Sequence, residues 1–333
     1  MDRIGLVTPY WGDLTKDELV EFAAAAEELG YDSLWVPEMW GRDALSLLSA
    51  LAVKTHKIKL CTGVVSVFSR TPAAIASAIA TIDELSGGRA VLGLGTSGPA
   101  VIENWHGMKF DRPLQRIREY VEIIRLVLSG ERVNYEGEIF SLRNFRLQFS
   151  PPRSDIPIFI ASLGPKSLCL TAELADGWIP FLVPREAIKN TIGGALSEAG
   201  PNAREAVDIA VAPYIPSCVF PDVEASVRVV KEHVAYYVGG MGDYYLNALS
   251  RWGFGHEAEV IRGAWEKGNK QEALDGVTDR LIGAVSIVSG GAAEGVVKIR
   301  DFIGAGATLP VVMFPPKATR EMVRSTMEAL APA

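Results

Sequence analysis

The sequence predicts a single (β/α)₈ barrel. Short runs rich in β-branched and apolar residues alternate with amphipathic helical stretches, the pattern of parallel strands joined by helical crossovers. Eight strand candidates can be placed, which favours a closed barrel over an open sheet. No linker, repeat or low-complexity stretch divides the 333 residues, and α/β barrels of this length commonly form one domain.

Taken in order, residues 4–8 read as the first strand and 15–29 as its helix. Thr15 is placed to cap that helix, Asp17 and Glu18 suit its positive end, and Gly30 suits a left-handed stop. Residues 33–36 are the second strand and 43–55 the second helix. A longer apolar run, 58–65, is the third strand, followed by a helix over 72–85. The fourth strand is 90–94, and after an irregular stretch a helix spans 114–128. Residues 133–142 alternate around the turn signal Glu136-Gly137, so a small hairpin is inserted within about residues 130–150. The fifth strand is 158–161, the sixth 177–180 and the seventh 209–213. A helix over 223–238 leads into a mostly helical excursion, 239–275. Residues 309–314 form the eighth strand, and 319–330 a closing helix.

The chain is 48% hydrophobic, ample for a large core, and its net charge is -7. An acidic chain with scattered Lys and Arg argues against a general nucleic-acid binder and against a basic membrane-surface tract. No apolar run is long enough to span a bilayer, and the N-terminal residues lack the basic and apolar regions of a signal peptide. Cys61, Cys169 and Cys218 are far apart and odd in number, so they read as reduced thiols rather than a disulfide framework. These features point to a cytoplasmic protein.

In such barrels the reactive site lies at the C-terminal ends of the strands. There the sequence places Thr8, Pro9, Tyr10 and Trp11 after the first strand and Glu38, Met39 and Trp40 after the second. Val64 and Ser66 end the third, Gly95, Thr96, Ser97 and Gly98 follow the fourth, and Ser162 to Pro165 follow the fifth. This rim is aromatic and polar but poor in acids and bases. It suits a flat bound cofactor better than a hydrolytic triad. Gly93-x-Gly95-x-x-Gly98 has the spacing of a dinucleotide fingerprint, but it follows the fourth strand and runs directly into Pro99; a tight turn with close backbone approach explains it equally well. In Ser162-Leu163-Gly164-Pro165-Lys166 a small-residue turn enters a helix with Pro165 at its first position. Free N–H groups and the helix dipole there suit a phosphate, with Lys166 adding charge; an ordinary helix start has the same pattern.

Of the four histidines, only His106, after the fourth strand, lies near the expected mouth. No two have metal-ligand spacing, so no metal site is expected. Glu38, in the apolar strand end VPEMW, is the acid of most interest; orienting nearby backbone or pairing with Arg42 is the plainer role. The run TIDELSGGRA, with Asp83, Glu84, Ser86 and Arg89, marks a structural turn on the face opposite the mouth. Tyr244, Tyr245, Trp252 and Phe254 in the excursion either cover a substrate pocket or build a satellite core.

Four longer segments resemble the luciferase-like monooxygenase superfamily. ATIDELSGGRAVLGLGTS resembles its fourth-strand region, and IKLCTGVVSVFSRTPAAIA its third strand and following helix. IPIFIASLGPKSLCLTAELADGWIP resembles its fifth and sixth strands, and ERVNYEGEIFSL its inserted hairpin. The likeness covers nearly the whole chain, with residues 215–275 as the exception. Within the superfamily the chain is similar to the F420-dependent branch, that of methylenetetrahydromethanopterin reductase.

That resemblance implies an oxidoreductase using coenzyme F420, with FMN as the alternative cofactor, acting on a small-molecule substrate as a homodimer. The deazaflavin would lie at the strand C-termini, against a non-proline cis peptide whose match here is Gly63–Val64. Ala161, Ser162, Leu163 and Gly164 would form the phosphate turn. Gly95, Thr96 and Ser97 would contact the ring or side chain of the cofactor. The chain departs from some relatives, which carry an acid–histidine pair where Glu38-Met39 stands. Sugar-phosphate dehydrogenases of the group place a glutamate where Gly98 stands. Both departures count against glucose-6-phosphate oxidation and favour reduction of an activated C=C or C=N bond. Hydride transfer at the deazaflavin C5 is the implied chemistry. Glu38 is the candidate proton relay, with His106 second. The competing expectations are an FMN-dependent monooxygenase served by a separate reductase, and a non-catalytic barrel that binds a flavin-like ligand.

Overall fold

A computed structural model of the chain describes residues 3–10 and 13–332; Trp11, expected on the rim, lies outside them. The strands are β1 (Gly5–Val7), β2 (Ser33–Val36), β3 (Lys59–Thr62), β4 (Val65–Ser66), β5 (Ala90–Gly95), β6 (Val133–Glu136) and β7 (Ser141–Phe145). They continue with β8 (Ile158–Ile160), β9 (Gly177–Trp178), β10 (Ala210–Val211), β11 (Tyr214–Val219), β12 (Ile287–Ser289) and β13 (Val311–Met313). All but β6 and β7 join one curled parallel sheet in the order β10-β9-β8-β5-β3-β2-β1-β13-β11-β12, with β4 paired to β5. The two arms of this path meet in one extended segment. Ala210 pairs with Gly177 of β9, while Tyr214 pairs with Val311 of β13. Between them the Ala212 N–H donates to Trp178 O (2.8 Å) and the Val311 N–H to Pro213 O (2.9 Å).

Period-two alternation sorts the strand side chains into two cores. Val7, Trp35, Cys61, Val91, Phe159, Ala212 and Met313 pack inside the curl, with Trp35 fully buried. Leu6, Leu34, Leu60, Leu92 and Ile158 face outward into a second core shared with the helices. Burial of each such side chain is worth about 2 kcal/mol, so the strands are held by packing on both faces, as parallel sheets require. Helix starts follow the sequence signals. Thr15 and Glu18 form a reciprocal capping box on the helix Lys16–Glu28, Asp43 caps Ala44–Ala52, and Thr71 caps Pro72–Ser86. Gly30 (φ 81) and Gly87 (φ 68) supply the left-handed stops.

Several expected boundaries change. The third strand is not one run: it breaks between Thr62 and Val65. The seventh does not end at residue 213 but extends to Val219, and β12 with its helix Ala292–Gly304 was not expected. Pro216 pairs with Met313 inside the sheet, although a proline donates no hydrogen bond to a ladder. No helix among the described residues is long and apolar enough to cross a membrane.

The face away from the strand C-termini is tied by two half-buried arginines and a buried carboxylate, in line with the structural role expected of the run TIDELSGGRA. The Arg89 guanidinium donates to the carbonyls of Ser86 (2.7 Å), Ile58 (2.6 Å), Ala52 (3.0 Å) and Thr55 (2.8 Å), and to the Thr55 hydroxyl (3.0 Å). Fully buried Asp83 accepts from Arg153 (2.9 Å) and from the Ala90 N–H (3.0 Å).

The hairpin is anchored by a charge that the sequence did not single out. Glu119, fully buried on the helix Pro113–Leu128, accepts from the backbone N–H groups of Glu138 (2.8 Å), Ile139 (3.1 Å) and Phe140 (2.9 Å), and from Gln115 (2.9 Å). The turn packs so tightly that a Cβ on Gly137 would come 2.4 Å from Glu119 Oε2. Burial alone would raise the Glu119 pKa, but the bonds from Gln115 and the turn hold it below its ordinary 4.5. A lowered folded-state pKa stabilises the fold above about 4.5 and loses that contribution as pH falls through the folded value. Glu119→Gln is expected to cost about 2 kcal/mol at neutral pH, because several turn donors lose their charged acceptor. The gap between wild type and variant should close as pH falls below 4.5. Denaturant melts across pH check this; a gap that does not narrow at all between neutral pH and about pH 3 would refute the anchor.

Candidate active site

The strand C-termini gather the predicted rim. Past β3 the Gly63–Val64 peptide is cis, as the resemblance implied. The Gly63 N–H donates to Val36 O (2.7 Å), which ties the bend to β2. Val64 then leans on β5, where only glycine fits. A Cβ on Gly95 would meet Val64 Cγ2 at 2.8 Å, and one on Gly93 would meet the Thr62 carbonyl at 2.2 Å. Thr62 also clamps Gly93 from the side, accepting its N–H (2.7 Å) and donating to its carbonyl (2.8 Å). Nothing lies within 4 Å of a Cβ on Gly98. The Gly93-x-Gly95-x-x-Gly98 spacing therefore reflects close packing on the bend at its first two positions, not a three-glycine phosphate loop.

Beyond β5, Ser97 adopts φ 57, and the Thr96 hydroxyl donates to Ser97 O (3.0 Å), turning the chain into the short helix Pro99–Asn104. His106 lies past that helix, half-buried beside exposed Trp105, with its backbone N–H on Val101 O (3.2 Å). Beyond β8 the Ala161 N–H donates to Leu94 O, so Ala161 sits beside Gly95, 3.6 Å from a Cβ there. Ser162 is turned inward: its hydroxyl pairs with Thr171 (2.8 Å) and its carbonyl accepts from Trp178 (2.9 Å). Gly164 heads the helix Pro165–Leu174 without a side-chain cap. Arg251, from the excursion, donates to Leu163 O (2.7 Å) and so brings a cation over this turn.

Glu38 is held rather than free. It accepts from Arg70 Nη1 (2.6 Å) and Nη2 (2.9 Å) and from the Ala44 N–H (2.9 Å) at a helix start. Arg70 also bonds Asp43. The partner is not Arg42, which reaches instead to Leu14 O. This engagement gives Glu38 the geometry of a structural carboxylate that fixes the exit of β2, not that of an exposed proton relay.

An aromatic wall completes the rim. Tyr10, past β1, pairs its hydroxyl with Tyr237 (3.3 Å) on the helix Val223–Gly240. Phe181, past β9, packs edge-on to Tyr237 (4.6 Å) and to Tyr245 (5.7 Å) of the excursion. His233, buried in the same wall, is driven by desolvation to a pKa of about 3, hence neutral. Of the excursion's other aromatics, Phe254 is buried under Arg280, Trp252 bonds Thr191, and Tyr244 stays exposed. A cavity of about 70 Å³ opens between Tyr10, Pro37, Met39 and Trp40. The wall was hard to read from sequence because Tyr237 and Phe181 lie in runs that scan as ordinary core. Arg251 and Arg70 carry no local motif. Among the described residues no group of acids, cysteines and histidines could hold a metal, and all three cysteines are free thiols.

The strand C-termini thus bring together Val64 packed on Gly93 and Gly95, a helix start without a side-chain cap at Gly164, and Arg251 bonded to the neighbouring Leu163 carbonyl. The model of luciferase-like monooxygenases matches residues 7–309. This chain belongs to that family. A 5,10-methylenetetrahydromethanopterin reductase of Archaeoglobus fulgidus is 36% identical over 312 residues, covering 91% of each chain. A Mycobacterium tuberculosis protein carrying the name coenzyme F420-dependent oxidoreductase is 35% identical over 306 residues, 86% of this chain and 88% of that one. The solved coenzyme F420-dependent tetrahydromethanopterin reductase of Methanopyrus kandleri superposes with TM-score 0.81 at 28% identity, covering 99% of this chain and 96% of the other. This luciferase-like chain is accordingly an enzyme, an oxidoreductase.

Proposed function

We propose that this enzyme is a coenzyme F420-dependent oxidoreductase that transfers a hydride between the deazaflavin C5 and a small organic substrate, reducing an activated C=C or C=N bond. The curled sheet acts as a complete (β/α)₈ barrel, a reading supported by the 210–219 segment in which its two arms meet. The observation that carries the proposal is the packing of Val64 onto Gly93 and Gly95 at the barrel mouth, where a side chain on either glycine would push Val64 away. When bound, F420 supplies two-electron hydride chemistry. The protein supplies position and electrostatics. Val64 and Ala161 support the ring, and Thr96 and Ser97 border it. The Gly164 helix start, with Lys166 and Arg251 nearby, receives the phosphate. Glu38 is a positioning residue that keeps the β2 exit rigid through Arg70. The Tyr237 hydroxyl, paired with that of Tyr10, keeps its proton at neutral pH, since burial pushes its pKa up to about 12 against the opposing bond from Tyr10. Tyr237 can therefore hold a proton at the mouth. His106 borders the opening from the β5 side.

The test is a fluorescence titration of the purified protein with F420 and with FMN separately. Saturable binding of F420, tighter by tenfold or more than FMN, is the expected result; that ratio corresponds to about 1.4 kcal/mol of preference. A preference for FMN would redirect the function to oxygen-using monooxygenation with a reductase partner.

A further inference from the structure

Inside the curl one polar atom stands apart. Tyr214 is 7% exposed, yet its hydroxyl has no hydrogen-bond partner among the described residues. Buried hydroxyls are normally paired, because an unpaired one forfeits the hydrogen bonds it made to water. Its location is specific. The Tyr214 N–H donates to Pro180 O (2.8 Å), just past the end of β9. Its ring crosses the interior to Trp35 (centroids 5.9 Å apart). Its hydroxyl ends where a Cβ on Gly63 would be, 2.3 Å away. The unpaired oxygen is thus pressed against the residue that opens the cis bend.

We propose that Tyr214 is a binding residue: its hydroxyl donates a hydrogen bond to an acceptor atom of the planar heterocycle held at Gly63–Val64. The inference rests on the cofactor reading above and extends it to one residue and one bond. Burial, with Cys61 and Tyr237 nearby, holds the phenol well above its ordinary pKa, so the group remains a donor at any working pH. The carbonyl oxygens and ring nitrogens of a flavin or deazaflavin are suitable acceptors. Gly63 is required for the same reason, since any side chain there would occupy the place of the hydroxyl.

The two states of the protein make opposite predictions for Tyr214→Phe. Without cofactor the variant should melt at the same temperature as wild type or higher, because it loses only an unpaired polar atom. With cofactor its Kd for F420, read by fluorescence quenching, should rise about tenfold, the worth of one buried hydrogen bond. Wild type that binds F420 while Tyr214→Phe binds it equally well overturns this inference and leaves the cofactor reading standing. Wild type that binds neither F420 nor FMN overturns both. A fall in the melting temperature of cofactor-free Tyr214→Phe would show that the hydroxyl serves the fold, and would also overturn the inference.

Discussion

Gly93→Ala is expected to destabilise the protein by about 3 kcal/mol and to weaken cofactor binding at least tenfold. The added Cβ falls 2.2 Å from the Thr62 carbonyl and 3.1 Å from Val64 Cγ1. Neither neighbour can retreat easily. Thr62 is bonded to Gly93 through both its hydroxyl donor and its hydroxyl acceptor, and it directly precedes the Gly63–Val64 bend. Relief of the clash must therefore displace the surface on which the ring would rest. Gly98→Ala is the matched control. With nothing within 4 Å of its Cβ and an extended φ of -117, it should shift stability by less than about 1 kcal/mol and leave affinity unchanged. Urea melts and F420 titrations of both variants decide the matter. Equal losses at Gly93 and Gly98 would mean that the three glycines act together as a phosphate loop, and the packing account would be wrong.

The other large effect lies on the opposite face. Arg89→Ala should cost about 3–5 kcal/mol, because a single guanidinium satisfies acceptors from Ala52, Thr55, Ile58 and Ser86 that join two helix ends to two strand starts. Arg89→Lys should recover only a minor part, since one ammonium cannot reproduce a planar fork of donors. Cofactor affinity of the folded variants should equal that of wild type, because this face carries stability rather than the site. The melting midpoint and the Kd, measured on the same preparation, test the separation. A loss under 1 kcal/mol, or an affinity that falls with stability, would count against it.

These residues also show where the sequence was legible. The helix start at Thr15 was readable because a cap acts over three residues of chain, and the same device, not singled out in the sequence, starts helices at Asp43 and Thr71. The strands β2 and β5 were readable because a parallel strand buried on both faces is a continuous apolar run. Strand β12 was not readable: three residues paired on one side only, directly after a helix, have no period of their own. The rim was located through strand ends and through family resemblance, but its internal wiring was not. Glu38 finds Arg70 across 32 positions, whereas local spacing offered only Arg42. Tyr214 and Tyr237 meet the rim only once they fold against Gly63 and Tyr10, far earlier in the chain. Glu119 was not singled out because nothing in the sequence of the helix Pro113–Leu128 announces a hairpin turn above it.

The 210–219 segment has a consequence for how the chain is made. Its first half completes a partnership with β9, which is already synthesised, but its second half must wait for β13, nearly one hundred residues later. The free edge of β1 waits for the same strand. Until Val311–Met313 leaves the ribosome, the nascent sheet therefore keeps two unsatisfied edges, the geometry that invites pairing with other chains. The helices of residues 223–285 are synthesised within that interval and pack over the side of β11 and β12, so they can shelter one of those edges before the last strand arrives.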